Sequence, residues 1–212
     1  MAANLPRVSP NQFSVNRPGK EAIRSSLYDY QPYAAAGQTG LTFFAVQAGQ
    51  SGKTKADTNM EAAGALPSPK QFLIETIEVY FWPGSPINTV ATTATNTAKQ
   101  ADDVYTVMQS GFLDLFIGSK SYLTEAPIGR FPPSTGLRVD QSMSGTFTAP
   151  NMAKGEYASM TGLIYRVQPE ILLEPTQNFN VTLNWPSAIA MPSGIAGRIG
   201  VVMRGLLYRN SQ

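Results

Sequence analysis

Residues 178–185 alternate without a break. Phe179, Val181, Leu183 and Trp185 fall on one side, and Asn178, Asn180, Thr182 and Asn184 on the other. A period of two belongs to a strand with one buried face, so Phe179, Val181 and Leu183 are expected in the core and Asn180 and Thr182 outside it. Residues 70–82 form the strongest apolar run. Simple alternation puts Leu73, Ile77, Val79 and Phe81 on one face and Phe72, Ile74 and Tyr80 on the other, and Pro83-Gly84 ends the run. Shorter apolar segments at 41–47, 104–108, 112–117, 160–167, 171–174 and 199–208 read as further strands, as does the more polar 137–148. Both tryptophans, Trp82 and Trp185, fall on such segments and are expected to be buried. The Ala-rich stretch 58–65 is the single helix candidate.

Roughly eight to ten strands of ordinary length, divided by Gly, Pro and Ser, are the pattern of an all-β, jelly-roll-like antiparallel β-sandwich. The expected organisation is an extended N-terminal arm over 1–40 and a single sandwich domain over 41–212. Pro6, Pro10, Pro18 and Pro32 interrupt any helix in the arm. The arm nevertheless carries Phe13, Leu27, Tyr28, Tyr30 and Tyr33, whereas solvated tails are poor in aromatics. These five, with Arg17 and Arg24, are the candidate assembly residues. Leu27 to Tyr33 is expected to dock on the chain's own sandwich, and the first twenty or so residues to order against neighbours. Three long loops, 84–101, 118–136 and 186–197, are assigned to subunit contacts or display.

Composition narrows the chemistry. The chain has no cysteine and no histidine. That removes the disulfide, the thiolate site, the commonest general base and the commonest zinc ligand. The expectation is a protein that is not an enzyme and holds no cofactor or metal, and a hydrolase on a β scaffold ranks last. Charged residues make up 14% of the chain, against roughly 25% for an average soluble domain. A surface short of charge suits burial against neighbours. Residues 1–40 hold four basic and two acidic groups; of sixteen and fourteen in all, twelve of each remain for the rest. The excess of two is far smaller than that of arms that package nucleic acid, so a genome contact through the arm is weak at most.

Gly49-Gln50-Ser51-Gly52-Lys53-Thr54 follows an apolar segment as a phosphate-binding loop would, but the glycine required five residues before Gly52 is Gln47. A flexible loop is the better reading. The Asn180-Val181-Thr182 sequon lies mid-strand and is read as chance. Asp102-Asp103 and the pair Glu75 and Glu78 lack the ligand spacing of a calcium loop and are read as solvated or ion-paired. The N-terminal residues show no charged segment followed by an apolar one, and no apolar run spans a membrane. Synthesis in the cytoplasm, without export by a signal of its own, is expected.

Several segments taken together carry a resemblance. Tyr30-Gln31-Pro32-Tyr33 leads into Gly40-Leu41-Thr42-Phe43-Phe44, followed by Ala56-Asp57-Thr58-Asn59-Met60-Glu61, Phe72-Leu73-Ile74 and Phe81-Trp82-Pro83-Gly84. Gln177-Asn178-Phe179-Asn180-Val181 runs on to Gly197-Arg198-Ile199-Gly200-Val201-Val202 and Leu207-Tyr208-Arg209. Together these resemble virion structural proteins of bacterial viruses, particularly the coat proteins of small icosahedral phages. The resemblance covers about half the chain through texture rather than one signature. It implies a single jelly-roll subunit repeated in a closed shell, located in the virion, with copies of itself and other virion proteins as partners and no small-molecule substrate. It leaves open a membrane beneath the shell. The alternative is an accessory virion protein, a cement, vertex, spike or tail-associated β-sandwich that binds a receptor or carbohydrate.

Overall fold

A computed structural model of the chain describes residues 19–86, 88–90, 99–133, 137–144, 153–160 and 162–210. Two four-stranded antiparallel sheets face each other. The first has the order β1 (Lys20–Tyr33), β11 (Gly197–Asn210), β3 (Gln71–Trp82), β9 (Tyr165–Leu173); the second has the order β2 (Gly40–Phe43), β10 (Phe179–Asn184), β5 (Phe112–Ile117), β6 (Lys120–Glu125). A three-stranded sheet, β4 (Asn88–Val90), β8 (Ala153–Met160) and β7 (Leu137–Ser144), is inserted between the sandwich strands in chain order.

The core lies between the two large sheets. Leu27, Phe72, Ile77, Val79, Ile199, Val201 and Met203 meet Phe43, Leu113, Leu115, Phe179, Val181 and Leu183 across it. The strict alternation of β10 is realised as expected: Phe179, Val181 and Leu183 are buried, while Asn180, Thr182 and Asn184 are half-buried on the outer side. Trp185 is buried as expected and donates from Nε1 to the Val107 carbonyl at 3.0 Å.

Residues 20–33, expected within an extended arm, form β1. It pairs with β11 from Lys20↔Asn210 to Tyr33↔Gly197 without a break. Among the described residues, 20–33 are thus part of the first sheet of the sandwich. The β1 residues fail to signal a strand because their outward positions hold Ser26, Tyr28 and Tyr30 rather than a run of small polar residues.

The expected faces of β3 are half wrong. Register slips between Arg204 and Gly205, so that Ile74 faces Gly205, Thr76 faces Arg204, and Glu75 is the extra residue. A bulge reverses parity. Phe72 and Ile74 before it, and Ile77, Val79 and Phe81 after it, all reach the same core. Leu73 is buried on the opposite side, in register with Leu206 and Leu172. The expected burial of Trp82 is corrected with it: the indole faces outward and is 45% exposed.

The helix is not where it was expected. Residues 58–65 form turns and isolated bridges. The helix among the described residues is α1 (Gln100–Gln109), which covers the expected strand 104–108. Its buried positions, Gln100, Asp103, Val104, Val107 and Met108, follow the helical i, i+3, i+4, i+7 spacing, but two are polar. Gln100 donates to the Ser85 carbonyl at 2.7 Å, and Asp103 accepts from the Ser193 amide at 2.9 Å. Asp102 and Asp103 in the first turn also suit the helix dipole. The expected loop 118–136 holds β6 and a 3-10 turn, Ile128–Arg130, and 153–160 forms a strand that the sequence reading left out. β9 continues through Gln168-Pro169, where a break was expected, although residues 167–170 stand off the ladder with β3.

Candidate interaction face

The odd-numbered residues of β1 around Leu27 and of β11 around Val201 enter the core, so the even-numbered ones point away from it. Register then aligns these residues in rows across the outer face of the first sheet. Pro32, Arg198 and Trp82 form one row. Tyr30, Gly200 and Tyr80 form the next, then Tyr28, Val202 and Glu78, then Ser26, Arg204, Thr76 and Arg166. Sequence separations of more than a hundred residues are closed by strand pairing alone.

The aromatic rings form a continuous surface. Ring centroids lie 5.8 Å apart for Tyr28 and Tyr30, 5.1 Å for Tyr30 and Trp82, and 5.6 Å for Tyr80 and Trp82. Gly200 makes this possible: a Cβ there would stand 1.7 Å from Cδ1 of Tyr30, so the ring occupies the space a side chain would fill. The Arg198 guanidinium sits 4.8 Å from the Tyr30 centroid and 5.9 Å from that of Trp82. It is held there by Nη2 donating to Asp57 at 2.7 Å and to the Ala56 carbonyl at 2.8 Å.

Glu78 lies fully buried beneath this surface. Its carboxylate meets Arg204 Nε at 2.7 Å and accepts from the Tyr80 hydroxyl at 2.8 Å; Arg204 Nη2 also donates to the Tyr80 oxygen at 3.1 Å. Burial, then the Glu78 carboxylate, pushes the Tyr80 hydroxyl above its ordinary pKa, and burial does the same to Tyr30. Over Val202 these groups border an open cleft of about 460 Å³ lined by Arg24, Ser26, Tyr28, Tyr30, Tyr80 and Arg204. A second cleft, of about 440 Å³, shares Arg24 and Arg204 and adds Glu75, Thr76, Arg166 and Glu170.

The loop that imitates a phosphate-binding motif has a different task. The Lys53 ammonium forms an ion pair with Asp29, whose carboxylate is fully buried and also accepts from the Phe44 amide at 2.6 Å. Burial pushes the Asp29 carboxyl above its usual range, against the opposing pull of Lys53 and the Phe44 amide. Further along the loop, Asp57 accepts from the Thr54 amide at 2.9 Å and hydroxyl at 2.8 Å. Those bonds, with Arg198 and Lys53 nearby, hold its carboxyl below the usual range. The loop is thereby fixed to β1 and to the aromatic surface.

The candidate assembly residues divide three ways. Arg24, Tyr28 and Tyr30 come together on this outer face, and Arg24 pairs with Glu75 at 2.9 Å. Leu27 and Tyr33 are core residues; the Tyr33 ring packs edge-on against Trp185 at 5.3 Å, and its hydroxyl donates to the Ile189 carbonyl at 2.7 Å. Phe13 and Arg17 lie outside the described residues. The sequence reading missed Tyr80, Arg198, Arg204 and Glu78 as a group. The available signal was Gly200 within an apolar strand, which marks a close approach.

Comparison of the chain with protein-family models, curated proteins and solved structures finds no match.

Proposed function

We propose that this chain is a self-assembling structural subunit of a bacterial-virus capsid, built on a single jelly roll. The observation that carries this reading is the strand order. With the inserted sheet set aside, the eight sandwich strands, numbered in chain order, run 1-8-3-6 in one sheet and 2-7-4-5 in the other. This order supports the jelly-roll reading, two Greek keys folded into one sandwich, an architecture common to capsid and lectin domains. The coat reading is favoured over the lectin reading by three of the four strands of the second sheet, the exception being edge strand β6 with Lys120 and Glu125. β2, β5 and β10 together carry one charged residue, Asp114. Their outer positions hold Thr42, Asn180, Thr182 and Asn184, with Phe112 and Phe116 half-buried among them. Such a face loses little by desolvation against a neighbour and gains hydrogen bonds there.

The proposed partners are copies of the chain and other virion proteins, and the proposed location is the virion. Of the four basic groups counted in the first forty residues, Lys20 donates to Gln71 at 2.8 Å and Arg24 is paired with Glu75. Both are therefore committed to the sandwich, which further weakens the case for genome contact. Light scattering coupled to size-exclusion chromatography, with electron microscopy of the same fractions, tests the reading. Closed particles of uniform diameter are expected; a chain that stays monomeric at all concentrations and ionic strengths overturns it.

A further inference from the structure

We propose that the cleft over Val202 on the outer face of the first sheet binds a neutral saccharide, with the adjoining Tyr30–Trp82 surface extending the site for a longer chain. This does not rest on the capsid reading, because the cleft is complete within one copy.

Three observations carry it. The first is shape. Val202 on the central strand lies between Tyr28 and Glu78 in its own row, and next to the row of Tyr30, Gly200 and Tyr80. A small residue among large ones leaves a concavity, and 460 Å³ is within the range of small-molecule sites.

The second is the lining. Three tyrosine rings offer apolar faces and edges against which the C–H face of a pyranose packs. Arg24, Arg204, Ser26 and the Tyr80 oxygen offer directional hydrogen bonds to its hydroxyls. Arg204 spends Nε and Nη2 on Glu78 and Tyr80, and a guanidinium has five N–H donors in all.

The third is charge. The two cations lining the cleft are each matched by a carboxylate, Arg204 by Glu78 and Arg24 by Glu75. An anionic ligand would have to compete with these carboxylates, and a single-stranded nucleic acid requires cations free to meet its phosphates. What remains is a polar, aromatic, electrically balanced surface, complementary to an uncharged polyhydroxyl ligand. It is also held in place before any ligand arrives. The Tyr30 ring rests on Gly200, while Glu78, buried beneath, fixes Arg204 and Tyr80.

The test uses the full chain and a panel of maltotetraose, cellotetraose, chitotetraose and mannotetraose, followed by calorimetry and by tryptophan fluorescence. Trp82 is exposed beside the site and Trp185 is buried, so a change in emission on binding reports the site. At least one tetrasaccharide is expected to bind saturably. Tyr30→Ala is expected to weaken that binding by about tenfold or more, as loss of a stacking ring does. Arg24→Gln, at an exposed position, keeps the proposal testable if Tyr30→Ala fails to fold, and is expected to weaken binding several-fold. Tyr105→Ala, on the exposed side of α1, is expected to leave it unchanged. Three results overturn the proposal: no panel member binding at about 10 mM, a concentration that reveals even weak sites; affinity unchanged in both site variants; or preference for a sialylated glycan or a short oligothymidine over every neutral sugar.

Discussion

Single residues carry the chain's most costly commitments. Asp29 is a carboxyl group with no exposed surface, and the Lys53 ammonium is its ion-pair partner. Removing one member of such a pair leaves the other uncompensated, at a cost of about 3–5 kcal/mol. Lys53→Met is therefore expected to destabilise the fold by about that much at neutral pH. Burial raises the folded-state pKa of Asp29 above its unfolded value, so ionisation of Asp29 opposes folding above that pKa, and the penalty fades as pH falls through it. Loss of Lys53 enlarges the penalty. The deficit of the variant against the wild type should consequently shrink as pH is lowered, measured by urea denaturation across a pH series. A deficit that grew with acid would contradict this account of the pair. Leu183, fully buried at the centre of β10, tests the ordinary core: Leu183→Ala should cost about 2–5 kcal/mol in the same assay.

At the scale of elements, one bulge decides which side chains reach the core. Gly205 sits at the slip in register, where a Cβ would lie 1.7 Å from the Leu73 carbonyl oxygen. At Gly200 the same distance separates a Cβ from the Tyr30 ring. A backbone carbonyl inside a sheet cannot swing away, but a half-exposed ring can. Overpacking typically costs about 1–3 kcal/mol. Gly200→Ala is expected within that range, with a changed near-ultraviolet dichroism as the aromatic row is displaced. Gly205→Ala is expected to cost more and to leave the Tyr30 environment in place. Equal losses would remove the distinction between backbone and side-chain clashes. The edge of β1 shows a related economy. Asn59 accepts from the Tyr28 amide at 2.9 Å and donates to the Ser26 carbonyl at 2.7 Å, so one side chain stands in for a neighbouring strand. An edge covered in this way is closed to chance pairing.

For the whole molecule, the first question is where the folded unit begins. Because β1 pairs with β11 along its full length from Lys20 to Tyr33, a chain lacking residues 1–18 should keep the eight described sandwich strands. Under the capsid proposal those residues act between subunits. The truncated chain should then show wild-type far-ultraviolet dichroism and thermal midpoint but form particles poorly; normal, equally stable particles would remove the arm from assembly. The sparse charge on β2, β5 and β10 of the second sheet favours contacts made by apolar groups and neutral hydrogen bonds. Particle stability should thus vary little over a modest rise in salt, and a steep loss would show that ion pairs hold the subunits.

The class of fold could be read from the sequence, as could the register of β10, because strict alternation over 179–184 is a local property that burial of one face enforces. The absence of histidine and cysteine likewise followed from the inventory alone. Other features depended on contacts distant in sequence. α1 escaped notice because Gln100 and Asp103 occupy apolar positions of its helical period, and Ser85 and Ser193, both outside the helix, supply hydrogen-bond partners that offset their burial. The core face of β3 depended on a bulge that arises opposite β11, and with it the outward turn of Trp82. The candidate site was the least legible feature. Tyr30, Gly200 and Tyr80 become neighbours only through strand pairing, and no local pattern encodes which strands lie side by side.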